Sequence, residues 1–508
     1  MNKGKICVSV GAETADETIA QIKRAQDSAD VIEIRFDCIE PEQTFKTSAY
    51  LASEKPLLLT YRPQEQGGKA VNDLDNRQAW WTELVINNEM VETRNLWFDY
   101  EYDLTNLRKV SNQMIIRSFH DFSGVPKNLP EIFESLSVES EIAKIAVKAD
   151  DITDTIAVWN LLEKAKAENK PIIPIAMGEA GKWTRILGLA HGALMTYAAL
   201  ESGKETAPGQ VSAQDLIEVY RVKELNEETE VYGILGGNTS VSLSPYIHNE
   251  AFKFHNLNAV FVPLQTKDLN GFMRRMVKPE TREVELNFKG FAVTIPHKQS
   301  IIKHLDFIDE TARKIGAVNT VKIIDGKLHG YNTDAHGFIE PLKTCYGDLT
   351  AVKVAVLGAG GAARACLYAL QKEDANVTIF ARDLSKSQKL VEDFQVELKE
   401  LPTAKTQKPK TDFKDFDILV NTTPLGMRGE AEGETPAVAA QLAGLQLVYD
   451  LVYVPFKTRL LAEADLAEVP KIGGLAMLIA QAMEQQKIWT GRDAPMLEMS
   501  RAALKRLR

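Results

Sequence analysis

"VKVAVLGAGGAARACLYAL", residues 352–370, decides the fold of the second half of this 508-residue chain. An apolar run ends in a cluster of glycines, and an alanine-rich segment of helical character follows. Gly358, Gly360 and Ala363 fit G-x-G-x-x-A in the context that motif requires, a strand before it and a helix after it. The glycines permit a tight turn and let a pyrophosphate approach the helix N-terminus, where unpaired N–H groups favour an anion. Gly358, Ala359, Gly360, Gly361 and Ala362 are therefore candidate cofactor contacts. The next apolar run, "NVTIFAR" (376–382), should end at the ribose. An acidic residue at its tip would favour NAD, but Ala381 and Arg382 stand there, with Lys386 shortly after. Those cations suit a 2′-phosphate, so NADP is the expected cofactor, and Asp383 reads as a turn residue.

Towards the N-terminus the same strand-then-helix rhythm recurs. "KICVSV" (5–10), "VIEIRF" (31–36), "PLLLTYR" (56–62), "NLWFDY" (95–100), "QMIIRSFH" (113–120), "IAKIAV" (142–147), "PIIPIAM" (171–177) and "ALMTYAAL" (193–200) read as strands. Amphipathic patterns such as "TADETIAQIKRAQ" and "TDTIAVWNLLEKAKAE" lie between them. This spacing predicts an α/β chain that opens with a (β/α)8 TIM barrel over residues 1–222, with a doubly wound sheet as the competing topology. "SAQDLIEVYRV" (212–222) has a serine start signal and should close that unit as a helix. The charged stretch 223–230 reads as a linker, and a fresh strand, "VYGILG", opens the second α/β half at 231. "LKELPTAKTQKPKTDFKDF" (398–416) reads as a polar surface excursion.

Composition bounds the function. A hydrophobic content of 44% with 26% charged residues describes a soluble globular protein, and a net charge of -10 argues against nucleic acid as the partner. No apolar run is long enough to span a membrane. Cys7, Cys38, Cys345 and Cys366 lie far apart without metal-ligand spacing and read as reduced core thiols, so no metal is expected. Without a signal or transit pattern the chain is expected in the cytoplasm, or in a plastid where a transit segment has been removed. Its partners should be small molecules, and the oligomeric state is not encoded in any pattern of the sequence.

Strand "IAKIAV" raises a question, because Lys144 stands in its middle. Side chains alternate across a strand, so Lys144 either wets an exposed face or points into a low-dielectric pocket, where a neutral amine could attack a carbonyl. Chemistry in a barrel collects at the C-terminal strand ends. Those ends supply Ser9, Glu33, Arg35, Arg62 and His120, each unremarkable as a rim residue but together an ionisable cluster. Several arginines imply an anionic substrate, which the bidentate guanidinium fork suits. Lys148, further along the strand, reads as a solvated lysine at its exit.

"EIRFD", "LLLTYRPQEQGG", "SFHDF", "AKIAV" and "TAPGQVS" follow one another at spacings that resemble type I 3-dehydroquinate dehydratase. The resemblance implies a (β/α)8 barrel with Lys144 as the Schiff-base lysine and His120 as general acid/base. It implies Arg185 on the substrate carboxylate, and Ser9, Glu33, Arg35, Arg62, Thr206 and Gln210 around the hydroxyls and ring. One departure stands out: the family usually has glutamate before the Gly-Gly of its "R…EGG" motif, and here Gln66 precedes Gly67. Glutamine can hydrogen-bond an imidazole but cannot stabilise its charged form, which predicts a working dehydratase that is slower or shifted in pH profile.

In the second half, "SVSLSPYIHN" (240–249), "FAVTIPHKQS" (291–300), "GAVNTVK" and "HGYNTDAHG" (within 316–337), "NTTPLGM", "DLVYVPFKT" and "GGLAMLIAQA" resemble shikimate dehydrogenase. The resemblance implies a substrate-binding domain over 231–337 with a helical return over 476–508, and an NADP-binding Rossmann domain over 338–475. It implies Lys298 and Asp334 as the catalytic pair, with Ser242 and Ser244 on the carboxylate. Thr294, Asn319, Tyr453 and Gln481 would surround the ring hydroxyls, and Glu310, Leu451, Gly474 and Met477 the nicotinamide. The product of the first family is the substrate of the second. The expected function is therefore consecutive: dehydration of 3-dehydroquinate, then NADPH-dependent reduction of 3-dehydroshikimate to shikimate. The competing readings are a dehydrogenase preferring quinate, a barrel kept only as a scaffold for an NADP-dependent shikimate/quinate dehydrogenase, and another imine-forming lyase.

Overall fold

The computed structural model describes residues 2–43, 53–86, 96–104, 113–139, 142–401 and 413–507. Most of the polar stretch expected at 398–416 lies outside the described residues. The chain divides into two compact units, one comprising Met1–Ser242 with Asn258–Phe288 and the other Leu243–Leu257 with Lys289–Arg508.

Eight parallel strands build the first unit: β1 (Lys5–Val10), β2 (Val31–Arg35), β3 (Leu57–Thr60), β4 (Leu96–Glu101), β5 (Met114–Asp121), β6 (Ile142–Lys148), β7 (Ile172–Met177) and β8 (Met195–Ala199). They lie in chain order, and β1 pairs with both β2 and β8. Just before β8, Leu194 N donates to Ile172 O of β7 at 3.0 Å, which brings the two ends of the row together. This is a barrel and not an open doubly wound sheet.

Alternation explains what fills it. The residues that point inward near the strand beginnings are apolar: Val31, Leu58, Trp97, Ile116, Ile142, Ile173 and Met195. Two residues further along the same face they become Glu33, Thr60, Asp99, Ser118 and Lys144. An apolar floor thus supports a charged layer, and among the described residues helices pack on β1, β2 and β5 to β8. The helix Ala15–Ala25 is typical: Thr14 Oγ1 accepts from Glu17 N at its start, and Ala15, Thr18, Ile22 and Ala25 form its buried stripe.

A short strand β9 (Val211–Ser212) pairs with β8. The helix expected over 212–222 forms over 213–219, and its last five residues, Asp215–Val219, are a π-type turn. Ser212 Oγ accepts from Asp215 N as the serine signal predicts, but Val222 N reaches Leu216 O and the backbone leaves the α-helical path. β10 (Glu230–Gly236) and β11 (Ala259–Gln265) pair in parallel within this same unit. Asp151 binds them to the barrel, accepting from Thr266 Oγ1 at 2.9 Å and Lys267 N at 2.7 Å. The compact units therefore do not divide at the charged stretch 223–230.

In the second unit β12 (Phe288–Val293) runs antiparallel to β14 (Thr320–Ile324), which pairs antiparallel with β15 (Lys327–Tyr331). β13 (Phe307–Ile308) lies parallel on the far side of β15. A separate parallel sheet is formed by β16 (Lys353–Leu357), β17 (Asn376–Ala381), β18 (Glu397–Glu400), β19 (Ile418–Asn421), β20 (Leu447–Asp450) and β21 (Lys471–Gly473). Its order, β18-β17-β16-β19-β20-β21, reverses direction between β16 and β19, the switch point at which such sheets bind nucleotides. The helix Gly361–Lys372 buries Ala363, Cys366, Leu367 and Leu370 against this sheet. All four cysteines are free; Cys7 and Cys366 are buried as expected, but Cys345 is exposed because it sits on the outer side of the helix Asp334–Tyr346. Among the described residues no helix is long and apolar enough to cross a membrane.

Candidate active sites

Lys144 lies on the inner face of β6, only 4% exposed, beneath a pocket of about 450 Å³ counting its open mouth. Glu33, Arg35, Arg62, His120, Arg185 and Gln210 line the same pocket. Glu33 and Arg35 come from β2, His120 from the end of β5, Arg62 and Gln210 from the stretches that follow β3 and β8, and Arg185 from the helix Lys182–Leu187 that follows β7. Ser9 stands beside them, donating to Glu33 Oε2 at 2.5 Å, while Thr60 Oγ1 donates to Glu33 Oε1 at 2.9 Å.

The lysine is buried, but it is not the isolated amine expected from the sequence. Its Nζ is 2.7 Å from Asp99 Oδ2, 3.9 Å from Glu33 Oε1 and 4.0 Å from the centre of the Tyr197 ring. A carboxylate at that distance compensates a buried positive charge. Asp99 Oδ2 also forms an ion pair with Arg62 Nη2 at 2.7 Å. Burial would raise its pKa, but Arg62 and Lys144 prevail and hold it well below the usual carboxylate range. Asp99 and Tyr197 were not singled out in the sequence. The signal was present in "FDYEYD", where Asp99 and Glu101 share the inner face of β4 by their two-residue spacing.

His120 is pushed well below the ordinary imidazole range by burial and then by the positive charges of Arg62 and Lys144. Its Nδ1 faces Arg62 Nη1 at 3.3 Å, so the neutral ring accepts there and carries its proton on Nε2. Among the described residues no hydrogen bond joins Gln66 to His120; Gln66 is 4% exposed and its Oε1 has no partner. Arg62 occupies the position in which the glutamine was expected to act.

The two remaining arginines differ. Arg35 is gripped by Asp37 through Nε–Oδ1 at 2.9 Å and Nη2–Oδ2 at 2.7 Å, and this pairing raises its pKa despite burial. Arg185, 2% exposed, offers Nε and Nη1 to no partner among the described residues, and only its Nη2 reaches Pro208 O at 3.4 Å. Burial pushes it down to about 10. A buried guanidinium with two unfilled donors and no counter-ion suits a ligand carboxylate. Thr206 turns its hydroxyl onto Gln210 Oε1 at 3.2 Å at the same rim. Lys148 is 43% exposed and pairs with Asp150 outside the pocket.

In the second unit, Lys298 Nζ meets Asp334 Oδ2 at 2.5 Å, and Asn319 Nδ2 donates to Asp334 Oδ1 at 2.8 Å. Val318 N donates to Lys298 O at 2.7 Å, which ties the lysine loop to the start of β14. Thr294, four residues before Lys298, accepts from His297 N through its backbone. Gln481 packs against Gly337, one turn beyond Asp334, where a Cβ would come 2.5 Å from the Gln481 Cβ. Ser244 is the first residue of the helix Ser244–Phe254, and Tyr453 packs against the apolar cluster to which Leu243 and Ile247 belong. Ser242 is the last residue of the first segment of the first unit. Glu310 points away, its side chain 79% exposed and paired with Lys314.

The glycine turn after β16 has the shape for a pyrophosphate. Gly358 has φ +109°, and a Cβ there would meet Thr422 Oγ1 at 2.6 Å, whereas at Gly360 and Gly361 a Cβ would meet nothing within 4 Å. That open face lies at the start of the helix Gly361–Lys372, beside exposed Ala359 and half-buried Ala362. At the end of β17, Arg382 and Lys386 are exposed and Asp383 caps the next helix, accepting from Lys386 N at 3.1 Å. A 2′-phosphate fits this tip better than a free ribose hydroxyl. Leu451 and Gly474 abut, since a Cβ on Gly474 would be 2.2 Å from Leu451 O, and the half-buried Met477 lies one turn along the same helix.

Comparison with known proteins follows this geometry. Residues 6–227 match the type I 3-dehydroquinase family, 234–321 the shikimate dehydrogenase substrate binding domain and 341–424 the shikimate / quinate 5-dehydrogenase family. A chloroplastic bifunctional 3-dehydroquinate dehydratase/shikimate dehydrogenase of Arabidopsis thaliana is 33% identical over 97% of this chain and 83% of its own length. A shikimate dehydrogenase (NADP(+)) of Methanothermobacter thermautotrophicus is 40% identical over 55% of this chain and 97% of its own. A crystal structure of a shikimate dehydrogenase in complex with NADP+ superposes with a TM-score of 0.50 at 36% identity, over 56% of this chain and 98% of that one.

Proposed function

The chain belongs to the family of bifunctional 3-dehydroquinate dehydratase/shikimate dehydrogenases, and on that footing we propose which residues carry its two consecutive reactions. Residues 1–222 dehydrate 3-dehydroquinate, and the remainder reduces 3-dehydroshikimate to shikimate with NADPH. The observation that carries the first assignment is the convergence of Lys144, His120 and the unfilled guanidinium of Arg185 in one pocket.

Arg185 binds the substrate carboxylate and brings the ketone to Lys144. Lys144 passes one proton to His120, the freed amine attacks the carbonyl carbon, and His120 returns that proton as the oxygen, which also takes one from the nitrogen, leaves as water; a protonated imine remains on the lysine. That cation makes the neighbouring C–H acidic. His120, held neutral by burial, takes this proton on Nδ1, its one unprotonated nitrogen, as the Arg62 contact there opens, and returns one to the departing hydroxyl, which leaves as a second water; a water then hydrolyses the imine, frees 3-dehydroshikimate and restores the Lys144 amine. Arg62 holds the imidazole in one tautomer, and Asp99 balances the positive charges of Arg62 and Lys144 throughout.

In the second unit, Gly358, Ala359, Gly360, Gly361 and Ala362 hold the pyrophosphate, and Arg382 and Lys386 the 2′-phosphate. The nicotinamide, when bound, supplies the hydride. Lys298 stabilises the alkoxide that forms and gives it a proton, while Asp334 keeps the ammonium in place. Ser244, at the helix start, is assigned to the substrate carboxylate, a group shikimate and quinate share, and the preference for shikimate rests on the resemblance carried by the second serine of "SLS".

The test mixes the protein with 3-dehydroquinate and NADPH and follows nicotinamide absorbance, which requires both halves. Borohydride with 3-dehydroquinate should add substrate mass at Lys144. Oxidation of NADPH only when 3-dehydroshikimate is supplied, with no mass gained, would reduce the barrel to a scaffold.

A further inference from the structure

Behind the Lys298–Asp334 pair runs a buried chain of polar side chains that the reaction does not use directly. Asn319 Oδ1 accepts from Thr333 N at 2.8 Å and from Thr320 Oγ1 at 2.8 Å. Thr320 Oγ1 accepts from Gln485 Nε2 at 3.0 Å. Gln485 Oε1 lies 3.1 Å from His248 Nε2, and Gln486 Nε2 lies 3.0 Å from His248 Nδ1. Asn319, Thr320, His248, Gln485 and Gln486 are all 2% exposed or less.

Two fixed points orient every group in the chain. Thr333 N–H can only donate, so the oxygen of the Asn319 amide must face it and the nitrogen must face Asp334. The backbone oxygen of Asn319 can only accept, and Gln485 Nε2 approaches it at 3.3 Å, so the Gln485 amide is oriented as well. Its oxygen then needs a donor, which places the His248 proton on Nε2 and leaves Nδ1 to accept from Gln486. Donors run unbroken from Gln486 through His248, Gln485, Thr320 and Asn319 to Asp334. Burial pushes His248 down to about 3, so its ring is neutral and Nδ1 accepts from Gln486 while Nε2 donates to Gln485.

We infer that Gln485, backed by His248, is a positioning residue for the dehydrogenase centre: it keeps the Thr320 hydroxyl donating to Asn319, so that Asn319 holds one oxygen of Asp334 and leaves the other for Lys298. This inference rests on the assignment of Lys298 and Asp334 as the catalytic pair. Without Gln485, the Thr320 hydroxyl can turn from Asn319 to Thr333 Oγ1, 3.4 Å away, and the Asn319 amide, still held by Thr333 through its N at 2.8 Å and its Oγ1 at 2.9 Å, loses the Thr320 restraint, so that Asp334 shifts with its lysine.

The experiment compares the intact chain with Gln485→Met, which keeps the volume and removes the donor, and Gln485→Glu, which can only accept. Reduction of 3-dehydroshikimate should fall in kcat by about tenfold or more in the first and further in the second, as expected for a misplaced reacting group. NADPH affinity, read by fluorescence titration, should hold and so show that the nucleotide sheet is folded. His248→Gln, which can still donate to Gln485, should keep more activity than His248→Phe, a difference that a space-filling role would not produce. Independently of turnover, the pH dependence of Lys298 acetylation by acetic anhydride, located by mass spectrometry, should shift in Gln485→Met. Wild-type kcat and an unchanged acetylation profile in Gln485→Met would overturn the inference. A wild-type chain that reduces nothing would overturn the functional assignment instead, and the acetylation comparison would still decide the role of Gln485.

Discussion

Replacing Asp99 by asparagine keeps the shape of the barrel interior and removes one negative charge from between two cations. Asp99 is 0% exposed, 2.7 Å from Lys144 Nζ and 2.7 Å from Arg62 Nη2. The two cations lose unequally. Arg62 keeps Glu101 Oε1 at 3.2 Å and donates to Ser118 Oγ at 2.7 Å, whereas the other carboxylate of Lys144, Glu33, is 3.9 Å away. Removing one member of a buried pair typically costs about 3–5 kcal/mol because the partner is left uncompensated, and Asp99→Asn should fall in that range. Lys144→Met in the same chain then removes the stranded charge and fills its space. The double variant should therefore be more stable than the sum of the two single losses predicts, by about 2 kcal/mol or more. Urea unfolding followed by tryptophan fluorescence measures this in the right unit, because Trp80, Trp81, Trp97, Trp159 and Trp183 lie in the barrel and only Trp489 lies outside it. Additivity within about 0.5 kcal/mol, or a loss below about 1 kcal/mol for Asp99→Asn, would refute the ion-pair argument.

Gln66→Glu places a carboxylate beside Arg62 and His120; it should raise the imidazole pKa from its depressed value and move the acid limb of the dehydratase pH profile upward by about one unit, whereas an unmoved profile would show that Gln66 does not sense the histidine. Arg382→Ala should raise KM for NADPH by about tenfold while leaving NADH utilisation unchanged, and equal losses with both would remove Arg382 from the 2′-phosphate. Acid stability of the barrel has two opposed contributions. His191, pushed by burial from 6.5 down to about 4, and His120, shifted the same way, contribute stability that is full above about pH 6.5 and is lost on acidification, each by up to about 1.4 kcal/mol per pH unit. Glu101, pushed by burial from 4.5 up to about 7, has the opposite sign: its contribution is full below 4.5 and is lost as pH rises through 7. Between pH 5 and 6.5 unfolding should therefore take up about one net proton, and Glu101→Gln should bring this towards two; an unchanged slope would mean that Glu101 is ionised in the folded chain.

The periodic features of the fold were legible in the sequence because each rests on local physics. The strand–helix alternation, the glycine turn after β16 and the cation-bearing tip of β17 need only neighbours in the chain to be recognised. The helix expected over 212–222 formed in part: its serine cap and residues 213–219 are helical, but from Asp215 the backbone takes a π-type turn, and buried Val222 bonds back through its N to Leu216 O, a long-range path that local signals do not encode. Lys144 shows both sides in one residue: alternation along β6 limits it to one face, but nothing local tells whether that face is wet or closed.

The amino-acid sequence by itself determined the elements, the residue types at each strand end and the families to which the two halves are similar, because hydrophobic period and turn chemistry act over a few residues. Only the tertiary structure decided which charges meet. Asp99 neutralises Lys144 across 45 residues of chain, Arg62 reaches His120 across 58, and His248 is joined to Gln485 across 237. Such pairings come from the closing of a barrel or the packing of a distant helix, and the electrostatic state of each site follows from them because a buried charge is governed by the few groups within about 4 Å of it.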